Sequence, residues 1–196
     1  MVEAKKIDKD LEWLRQVSLE VDLSTEDISE DLKILEEYCL NHGVFAMAAV
    51  QLGIPKRLVY IKNTDLEKID DEEWNEATIL VNPVIKRREG LTQYWEACAS
   101  CLDNMGLVQR PYLVEIEYLD IHGNRQEMTF EGFPATVFSH EYDHLDGILH
   151  MDKALEVLFM EKEERKQFRK EHPYEVFSKE GDFLELEKGH GKRLKN

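Results

Sequence analysis

Residues 139–144, which read Ser-His-Glu-Tyr-Asp-His, contain the side chains of this sequence best suited to chemistry. If residues 134–146 form a helix, His140 and His144 lie one turn apart on one face, because side chains at i and i+4 are neighbours. Two imidazoles placed in this way can bind one metal ion, and Glu141 can take a proton from a water on that ion without being a ligand. The spacing is that of the H-E-x-x-H motif. The alternative is a charged, solvated helix face on which two histidines fall at helical spacing by chance.

A metal held by two histidines needs a third protein ligand, because catalytic sites of the zinc type use three and keep one position for water. Downstream, Asp146, His150 or the glutamates of the last helix could supply it, although Asp146 lies on another side of the helix and His150 follows the break at Gly147. Upstream, Cys98 or Cys101 could supply it, and a thiolate is the stronger ligand for a soft or borderline ion. Spacing alone leaves this choice open.

A short apolar segment, residues 44–50, ends in Gln51. Small residues in a row allow another backbone to approach closely, and an amide at the end of such a segment needs a partner or an open site beside it. Gln51 is therefore a candidate site residue. The alternative is an amide at the edge of the core that bonds to backbone.

Length and charge limit the classes of protein that this chain can represent. At 196 residues it can form one domain with a substantial core. Acidic residues outnumber basic ones by 41 to 25, and the formal charge of −16 opposes a large contact with phosphate backbone or anionic lipid. We therefore expect no direct nucleic-acid binding. No stretch approaches the apolar length of a membrane span, so no membrane association is expected.

The amino terminus and the cysteines indicate a reducing cytoplasm. The first residues lack the apolar core of a signal peptide and carry acids that organellar presequences avoid. The three cysteines, Cys39, Cys98 and Cys101, are an odd number in a chain without an export signal, so a disulfide framework is not expected. Cys39 falls on the apolar stripe of a predicted helix, where we expect a small buried residue rather than a ligand.

Hydrophobic periodicity and turn residues predict the elements that must position these side chains. Ser24 and Asp27 resemble a capping box, and the helix that they begin would end at His42, before Gly43. Pro134 falls near the first turn of the helix that carries the histidines. The other predicted elements are a short helix at 10–17, strands at 57–61, 77–82, 113–120 and 126–130, and a charged helix at 153–170.

Breaker and turn residues set the limits between these elements. Pro83 is expected to close the strand at 77–82, and residues 122–124 to form a hairpin turn. Residues 65–76 are expected to form a loop or a short surface helix. The chain after Pro173 is polar, and partial disorder is expected there.

Three segments together resemble the signatures of the peptide deformylase family, which are G-x-G-x-A-A-x-Q, E-G-C-x-S and H-E-x-D-H-x-x-G, in that order. In this chain they occupy residues 44–51, 96–100 and 140–147, and the third matches throughout. Residues 108–110 also fit the family's spacing after the cysteine. The resemblance covers most of residues 10–165, and it selects Cys98 rather than Cys101 as the third ligand.

The resemblance implies an α+β fold in which antiparallel β-sheets pack around a central helix that carries the H-E-x-x-H motif. Residues 1–175 would form a single catalytic domain and residues 176–196 a polar carboxy-terminal tail. Cys98, His140 and His144 would bind one divalent metal ion, commonly ferrous iron (Fe2+), with zinc (Zn2+), nickel (Ni2+) or cobalt (Co2+) able to substitute.

The resemblance also implies a reaction, the hydrolysis of the N-formyl group from the formylmethionine that begins newly synthesised proteins, with release of formate. Glu141 would act as general base toward the metal-bound water. The side chain of Gln51 and the backbone N–H of Ala99 would stabilise the oxyanion. Phe45 and Ala46 would lie beside the bound peptide. The implied partners are formylated nascent chains near the ribosome, and we expect a cytoplasmic monomer or weak dimer.

Some positions depart from the family pattern, and they leave two rival functions open. If Ala46 or Ala97, where the family prefers glycine, needs a positive φ, each costs about 1 kcal/mol or more of strain, and an extended backbone costs little. One rival is a metallopeptidase that uses the same motif on internal peptide bonds. The other is a non-catalytic relative that binds formylated peptide. The further departures are Val44 for glycine, Met47 and Ala99 for leucine, Leu102 for proline and Ser139 for glutamine.

Overall fold

The computed structural model describes residues 2–62, 77–184 and 192–193. Two single-turn 3₁₀ helices, Ala49–Leu52 and Ala99–Cys101, carry two of the sequence motifs. The helices are α1 (Leu11–Leu14), α2 (Ser29–His42), α3 (Phe133–Leu145), α4 (His150–Lys153) and α5 (Lys162–Glu171). The strands are β1 (Ala46–Ala48), β2 (Leu58–Lys62), β3 (Ala77–Ala97), β4 (Asn104–Arg110), β5 (Leu113–Leu119), β6 (Arg125–Glu131), β7 (Glu156–Phe159), β8 (Glu175–Asp182) and β9 (Lys192–Arg193).

The strands form one bent, mainly antiparallel sheet organised on β3, which is 21 residues long. The first part of β3 pairs with β2, its middle with β5, and its last part with both β4 and β8. Outer strands extend the sheet, because β1 pairs with β2, β6 with β5 and β7 with β4. Among the described strands only β7 and β9 pair in parallel, and a single parallel bridge joins Leu19 to Lys56. The fold is therefore α+β, as the sequence predicts.

Strand β3 does not end at Pro83, so the predicted strand limit at 77–82 is wrong. The register of β3 against β5 shifts between Val81 and Val84, and Asn82 adopts a φ of 49°. This irregularity accommodates a proline, which has no N–H to donate to the ladder. The amide of Asn82 exchanges hydrogen bonds with the backbone of Val21, at 2.9 and 2.8 Å, and so fixes the bend.

Helix α3 lies at the centre of the fold, packed against the sheet. Its apolar side joins a buried cluster in which the rings of Phe130 and Phe138 stack at 4.8 Å. The helix begins after Gly132 and ends before Gly147, whose φ of 69° and contact with the backbone of Arg15 leave no room for a side chain. The central helix predicted over 134–146 is confirmed within one residue at each end.

Helix α2 buries its stripe in a second cluster, to which Leu35 and Cys39 contribute fully buried side chains. It ends at His42 before Gly43, which takes the left-handed conformation, as expected. The predicted capping box is wrong, because the helix begins later, at Ser29. The carboxylate of Asp27 instead accepts hydrogen bonds from the backbone N–H and hydroxyl of Ser29, at 2.9 and 2.6 Å.

The carboxy-terminal part of the chain differs most from expectation. The single charged helix predicted over 153–170 is wrong, because an apolar segment inside it pairs with β4 as strand β7, with Leu158 opposite Met105. Only α5 keeps the predicted charged helical character. Residues 175–182, expected in a polar and partly disordered stretch, form β8 with exposed side chains. The loop or surface helix expected at 65–76 lies outside the described residues.

Candidate active site

Cys98 and the two helical histidines are brought together where β3 ends above helix α3. The ligand atoms of Cys98, His140 and His144 all lie within 4.8 Å of one another, and all three residues are largely or fully buried. The sulfur of Cys98 is 3.2 Å from Nε2 of His144. It also accepts a hydrogen bond from the backbone N–H of Ser100 at 3.4 Å, which holds the side chain toward the helix.

This donor set fits a divalent transition-metal ion. One thiolate with two imidazoles suits iron, zinc, nickel or cobalt and does not suit magnesium or calcium, which prefer oxygen ligands. Nδ1 of His140 is bonded to the carboxylate of Glu96 at 2.8 Å, which leaves Nε2 to face the other two ligands. A carboxylate behind a metal-binding histidine fixes the orientation of its ring. The side chains present can therefore hold one such ion and leave a position for water.

A buried ion network supports His140 from behind. Arg110 donates to both oxygens of Glu96, at 2.8 and 3.0 Å, and to the carboxylate of Asp143 at 2.5 Å. Lys153 donates to the other oxygen of Asp143 at 2.7 Å. Burial alone would raise the pKa of Glu96, but Arg110 outweighs burial and holds the pKa well below its ordinary value. Glu96 therefore stays ionised behind the histidine.

Glu141 faces the same cavity from the next position of α3. One of its oxygens, Oε2, accepts a hydrogen bond from the backbone N–H of Ala48 at 2.8 Å, which fixes the carboxylate. Burial raises the pKa of Glu141 to about 7, and the nearby charge of Cys98 acts in the same direction. A carboxyl group with such a pKa can both accept and release a proton near neutral pH.

Gln51 lies beside Glu141, since both accept from the backbone N–H of Ala48, and it is held by hydrogen bonds at both ends of its amide. Its Oε1 accepts from the backbone N–H of Ala48 at 3.1 Å, and its Nε2 donates to the hydroxyl of Ser100 at 3.1 Å and to the sulfur of Cys98 at 3.4 Å. Gln51 was interpreted either as a site residue or as an amide bonded to backbone at the edge of the core. In the structure its amide does both, because it bonds to the backbone of Ala48 and lines the cleft. Ala99, which follows Cys98 directly, is exposed and lines the same cavity.

The amino-terminal segment ties these two donor-bearing turns together. The backbone N–H of Lys5 donates to the carbonyl of Gln51 at 2.7 Å, and that of Ile7 donates to the carbonyl of Ser100 at 3.0 Å. Lys6 reaches past them, and its ammonium group donates to the carbonyl of Ala99 at 2.5 Å. Residues 5–7 therefore hold the Gln51 and Ala99 segments at a fixed separation.

A cleft of about 260 Å³ opens beside these groups. Its apolar wall includes Tyr94 and Phe133, whose rings meet edge to face at 5.3 Å. Phe45, with 47% of its side chain exposed, and Ala46 form another part of the wall. Neither Ala46 nor Ala97 has a positive φ, so the strain considered for their extra methyl groups does not arise.

The structure separates the other candidate ligands from the metal-ligand group. Asp146 pairs with Arg57 at 2.7 Å on the far side of α3. Cys101 is fully buried in a small cluster that also contains Leu14 and Cys98, but it is not a member of the group of three. His150 is buried with its ring stacked on that of His140, at a centroid distance of 5.6 Å, and it lies outside the group of three.

Several residues that line the site were not predicted from the sequence. Ser100 orients the amide of Gln51, and its place in the E-G-C-x-S pattern was the available clue. Tyr94, Phe133 and Arg169 line the cleft but come from distant segments, so only the tertiary structure brings them together. Lys6 belongs to a polar lead whose contacts depend on the whole fold.

The fold is α+β, with a sheet packed around a helix that carries two histidines and a buried glutamate. Together with the cysteine that converges on the histidines, this site defines a metal-dependent hydrolase. The comparisons give the particular family. The family model described as polypeptide deformylase matches residues 5–159, and the chain belongs to that family. It is an enzyme that removes the N-formyl group from the amino terminus of newly synthesised proteins.

Individual relatives agree with this assignment. The peptide deformylase of Pelagibacter ubique is 36% identical over 144 residues, which cover 71% of this chain and 78% of that protein. The peptide deformylase of Aquifex aeolicus is 32% identical over 142 residues, covering 72% and 82%.

Solved structures agree as well. A probable peptide deformylase from Synechococcus phage S-SSM7 superposes with a TM-score of 0.66 at 31% identity, covering 78% of this chain and 99% of that one. The class I type b peptide deformylase from Acinetobacter baumannii, bound to Met-Ala-Ser, gives a TM-score of 0.68 at 26% identity, covering 78% and 98%.

Among the described residues of the present chain, no helix has the length and apolar character needed to cross a membrane.

Proposed function

We propose that Cys98, His140 and His144 bind the single divalent ion on which deformylation depends, with ferrous iron as the ion in the cell. The observation that carries this proposal is the convergence of the three ligand atoms within 4.8 Å, beside an open cleft. Bound there, the ion would supply Lewis acidity and make hydroxide available near neutral pH. Zinc, nickel and cobalt suit the same ligands and can replace iron.

Glu141 acts as the general base. Its Oε2 is occupied by the backbone N–H of Ala48, so Oε1 is the atom left to take a proton from the attacking water. The same carboxyl then passes the proton to the departing amine of the methionine. Its pKa of about 7 supports both halves of this transfer.

Gln51 and Ala99 stabilise the negative charge that develops on the formyl oxygen. The amide of Gln51 is fixed by Ala48 and Ser100, and the second N–H of its Nε2, which here donates to the sulfur of Cys98 at 3.4 Å, is the one that turns to the developing charge. The second donor is the backbone N–H of Ala99, which survives the change from the leucine common in the family. Each fixed donor contributes typically about 3 kcal/mol to the transition state.

The methionine side chain of the substrate occupies the apolar part of the cleft. Tyr94, Phe133 and Val137 form its floor, and Phe45 and Ala46 flank the peptide backbone. Apolar side chains around a few fixed polar groups are typical of a pocket that selects a flexible hydrophobic group such as methionine.

The substrate also determines where the enzyme works. Formylated nascent chains are met at the ribosome, so we expect the enzyme to act in the cytoplasm near the ribosome. We also expect a monomer or weak dimer. Its net charge of −16 opposes direct binding of ribosomal RNA over a large surface. The preferred route of encounter is therefore through the emerging peptide.

The assay that tests this function is formate release from formyl-Met-Ala-Ser, run without oxygen on iron-loaded or nickel-loaded protein. We expect stoichiometric formate and free Met-Ala-Ser. Cleavage of internal bonds in unformylated peptides would support the metallopeptidase instead. A metal-replete protein that binds the formylated peptide without turnover would support the non-catalytic relative.

A further inference from the structure

A second, larger cavity of about 1000 Å³ adjoins the catalytic cleft. The two cavities share Ala97, Cys98, Ala99 and Arg169 in their walls. A peptide whose formyl group lies at Cys98 must leave the cleft after its methionine, and this opening is continuous with the site. The second cavity is therefore placed to receive the residues that follow the methionine.

The wall of this cavity is basic, although the whole protein is strongly acidic. It contains five basic and two acidic side chains, in a chain whose formal charge is −16. A concave surface of one sign concentrates the field felt by a charged ligand. The acidic members are Asp103 and Glu163. The basic members are Lys6, Lys162, Arg165, Lys166 and Arg169.

The two arginines are held in place by backbone carbonyls. Arg165 donates to the carbonyl of Leu102 at 3.0 Å and is 3.6 Å from the carboxylate of Asp103. Arg169 donates to the carbonyl of Trp95 at 3.0 Å, and its guanidinium lies 5.2 Å from the centre of the Tyr94 ring. Fixed guanidinium groups lose little entropy when they bind a carboxylate.

Arg169 is the one basic side chain of this cavity wall that also lines the catalytic cleft. Burial lowers its pKa, which means that the charged form is incompletely stabilised in the free protein. An anion placed beside it would offset that cost. The exposed ammonium groups of Lys162 and Lys166 lie on the same helix and can turn toward the same ligand.

We propose that this basic cavity binds an acidic side chain of the substrate at the second or third position, so that formylated chains with Asp or Glu there are preferred. The inference rests on the proposed deformylase function and adds a substrate class to it. An extended peptide advances about 3.3 Å per residue, so the first two residues after the methionine are those that lie along the shared wall.

The test compares matched tripeptides with amidated carboxyl ends, which remove the terminal charge. The pairs are formyl-Met-Ala-Glu-amide against formyl-Met-Ala-Gln-amide, and formyl-Met-Glu-Ala-amide against formyl-Met-Gln-Ala-amide. We expect kcat/KM to be about fivefold higher for the acidic member of at least one pair at low salt, the effect of one or two exposed charge contacts. The ratio should fall toward one in 0.5 M NaCl.

Substitutions on helix α5 test whether the preference for acidic peptides arises in this cavity. Lys166→Gln and Arg165→Gln should each lower the acidic-to-neutral ratio, with Lys166→Gln decisive if loss of the Arg165 contacts disturbs folding. Lys170→Gln removes the same charge from an exposed position on α5 outside the cavity wall, and it should keep the wild-type ratio.

The outcomes separate the two proposals. A wild-type ratio of one in both pairs, with good turnover of every peptide, would overturn the acidic preference and leave the deformylase function standing. An equal fall of the ratio in Lys170→Gln and Lys166→Gln would also overturn it, since the effect would then come from net charge. Failure to release formate from any of the four peptides would overturn the proposed function itself.

Discussion

Glu96 accepts a hydrogen bond from Nδ1 of His140 at 2.8 Å while both of its oxygens are bonded to Arg110. The carboxylate of Glu96 thus joins the end of strand β3 to helix α3. Because it binds Nδ1 of His140, Nε2 is the nitrogen that faces the other ligands. Glu96 and Arg110 form a buried ion pair, which Asp143 and Lys153 extend. The metal-ligand group is therefore oriented by a buried network and not by the ligands alone.

Replacing Glu96 tests this network. Glu96→Gln should lower the free energy of unfolding by about 3 kcal/mol, because it leaves the buried Arg110 with one carboxylate fewer. Metal affinity should fall about 10-fold to 100-fold, since His140 loses the group that orients it. Denaturant unfolding and competition with a chelator measure the two effects. Glu117→Gln, which removes an exposed partner of Lys86, is the control and should change stability by less than about 0.5 kcal/mol.

The two neighbouring cysteines give a matched pair for the third ligand. Cys98→Ser should lose most of its bound metal, because a serine hydroxyl is a poor ligand for a borderline ion. Cys101→Ser should keep one ion per chain, although burial of its hydroxyl should cost about 1–3 kcal/mol of stability. Elemental analysis after anaerobic purification distinguishes the variants. Loss of metal from Cys101→Ser with retention in Cys98→Ser would reverse the assignment.

Cys39 should make stability depend on alkaline pH. Burial raises its pKa to about 12, whereas the thiol in the unfolded chain ionises near pH 9. Below pH 9 both states carry the proton and the shift has no effect. Above it the unfolded chain releases the proton first, so the wild type should lose stability relative to Cys39→Ala by up to about 1.4 kcal/mol per pH unit. Denaturant titrations between pH 8 and pH 10.5 measure this slope, and parallel curves would refute it.

Leu102 is a strained position, because its φ of 56° lies in a region that favours glycine. Leu102→Gly should raise the free energy of unfolding by about 1 kcal/mol, since it removes this strain from a partly exposed residue. Ala97→Gly is the matched control, because Ala97 lies in an extended strand without strain. The substitution there only raises the conformational entropy of the unfolded chain. That variant should be less stable by about 0.5–1 kcal/mol. Equal losses in both variants would show that Leu102 is not strained.

Local patterns in the sequence predicted the parts of the fold that local forces determine. The 3.6-residue periodicity and the flanking helix-breaking residues predicted α3 and the end of α2 at Gly43. The turn residues at 122–124 predicted the hairpin of β5 and β6. Cys98 was reached through its motif, because nothing in its own spacing distinguishes it from Cys101.

The parts of the fold and of the site that the sequence did not predict depend on contacts between distant segments. Strand β3 continues past Pro83 because β5 and the amide of Asn82 support the bend, and a single segment does not reveal that support. The residues near 158 form a strand because β4 offers a free edge, whereas their charged neighbours favour a helix. For the same reason Lys6 and Arg169 could not be placed at the site from sequence.

Deformylation by this chain requires one ion among Cys98, His140 and His144 while Glu141 moves the proton. The most direct measurement is metal content and formate release from formyl-Met-Ala-Ser for Glu141→Gln beside the wild type, both prepared without oxygen. We expect about one ion per chain in both proteins and a fall in kcat of roughly 10³-fold in the variant. A variant that keeps its metal and turns over at the wild-type rate would show that Glu141 is not the base.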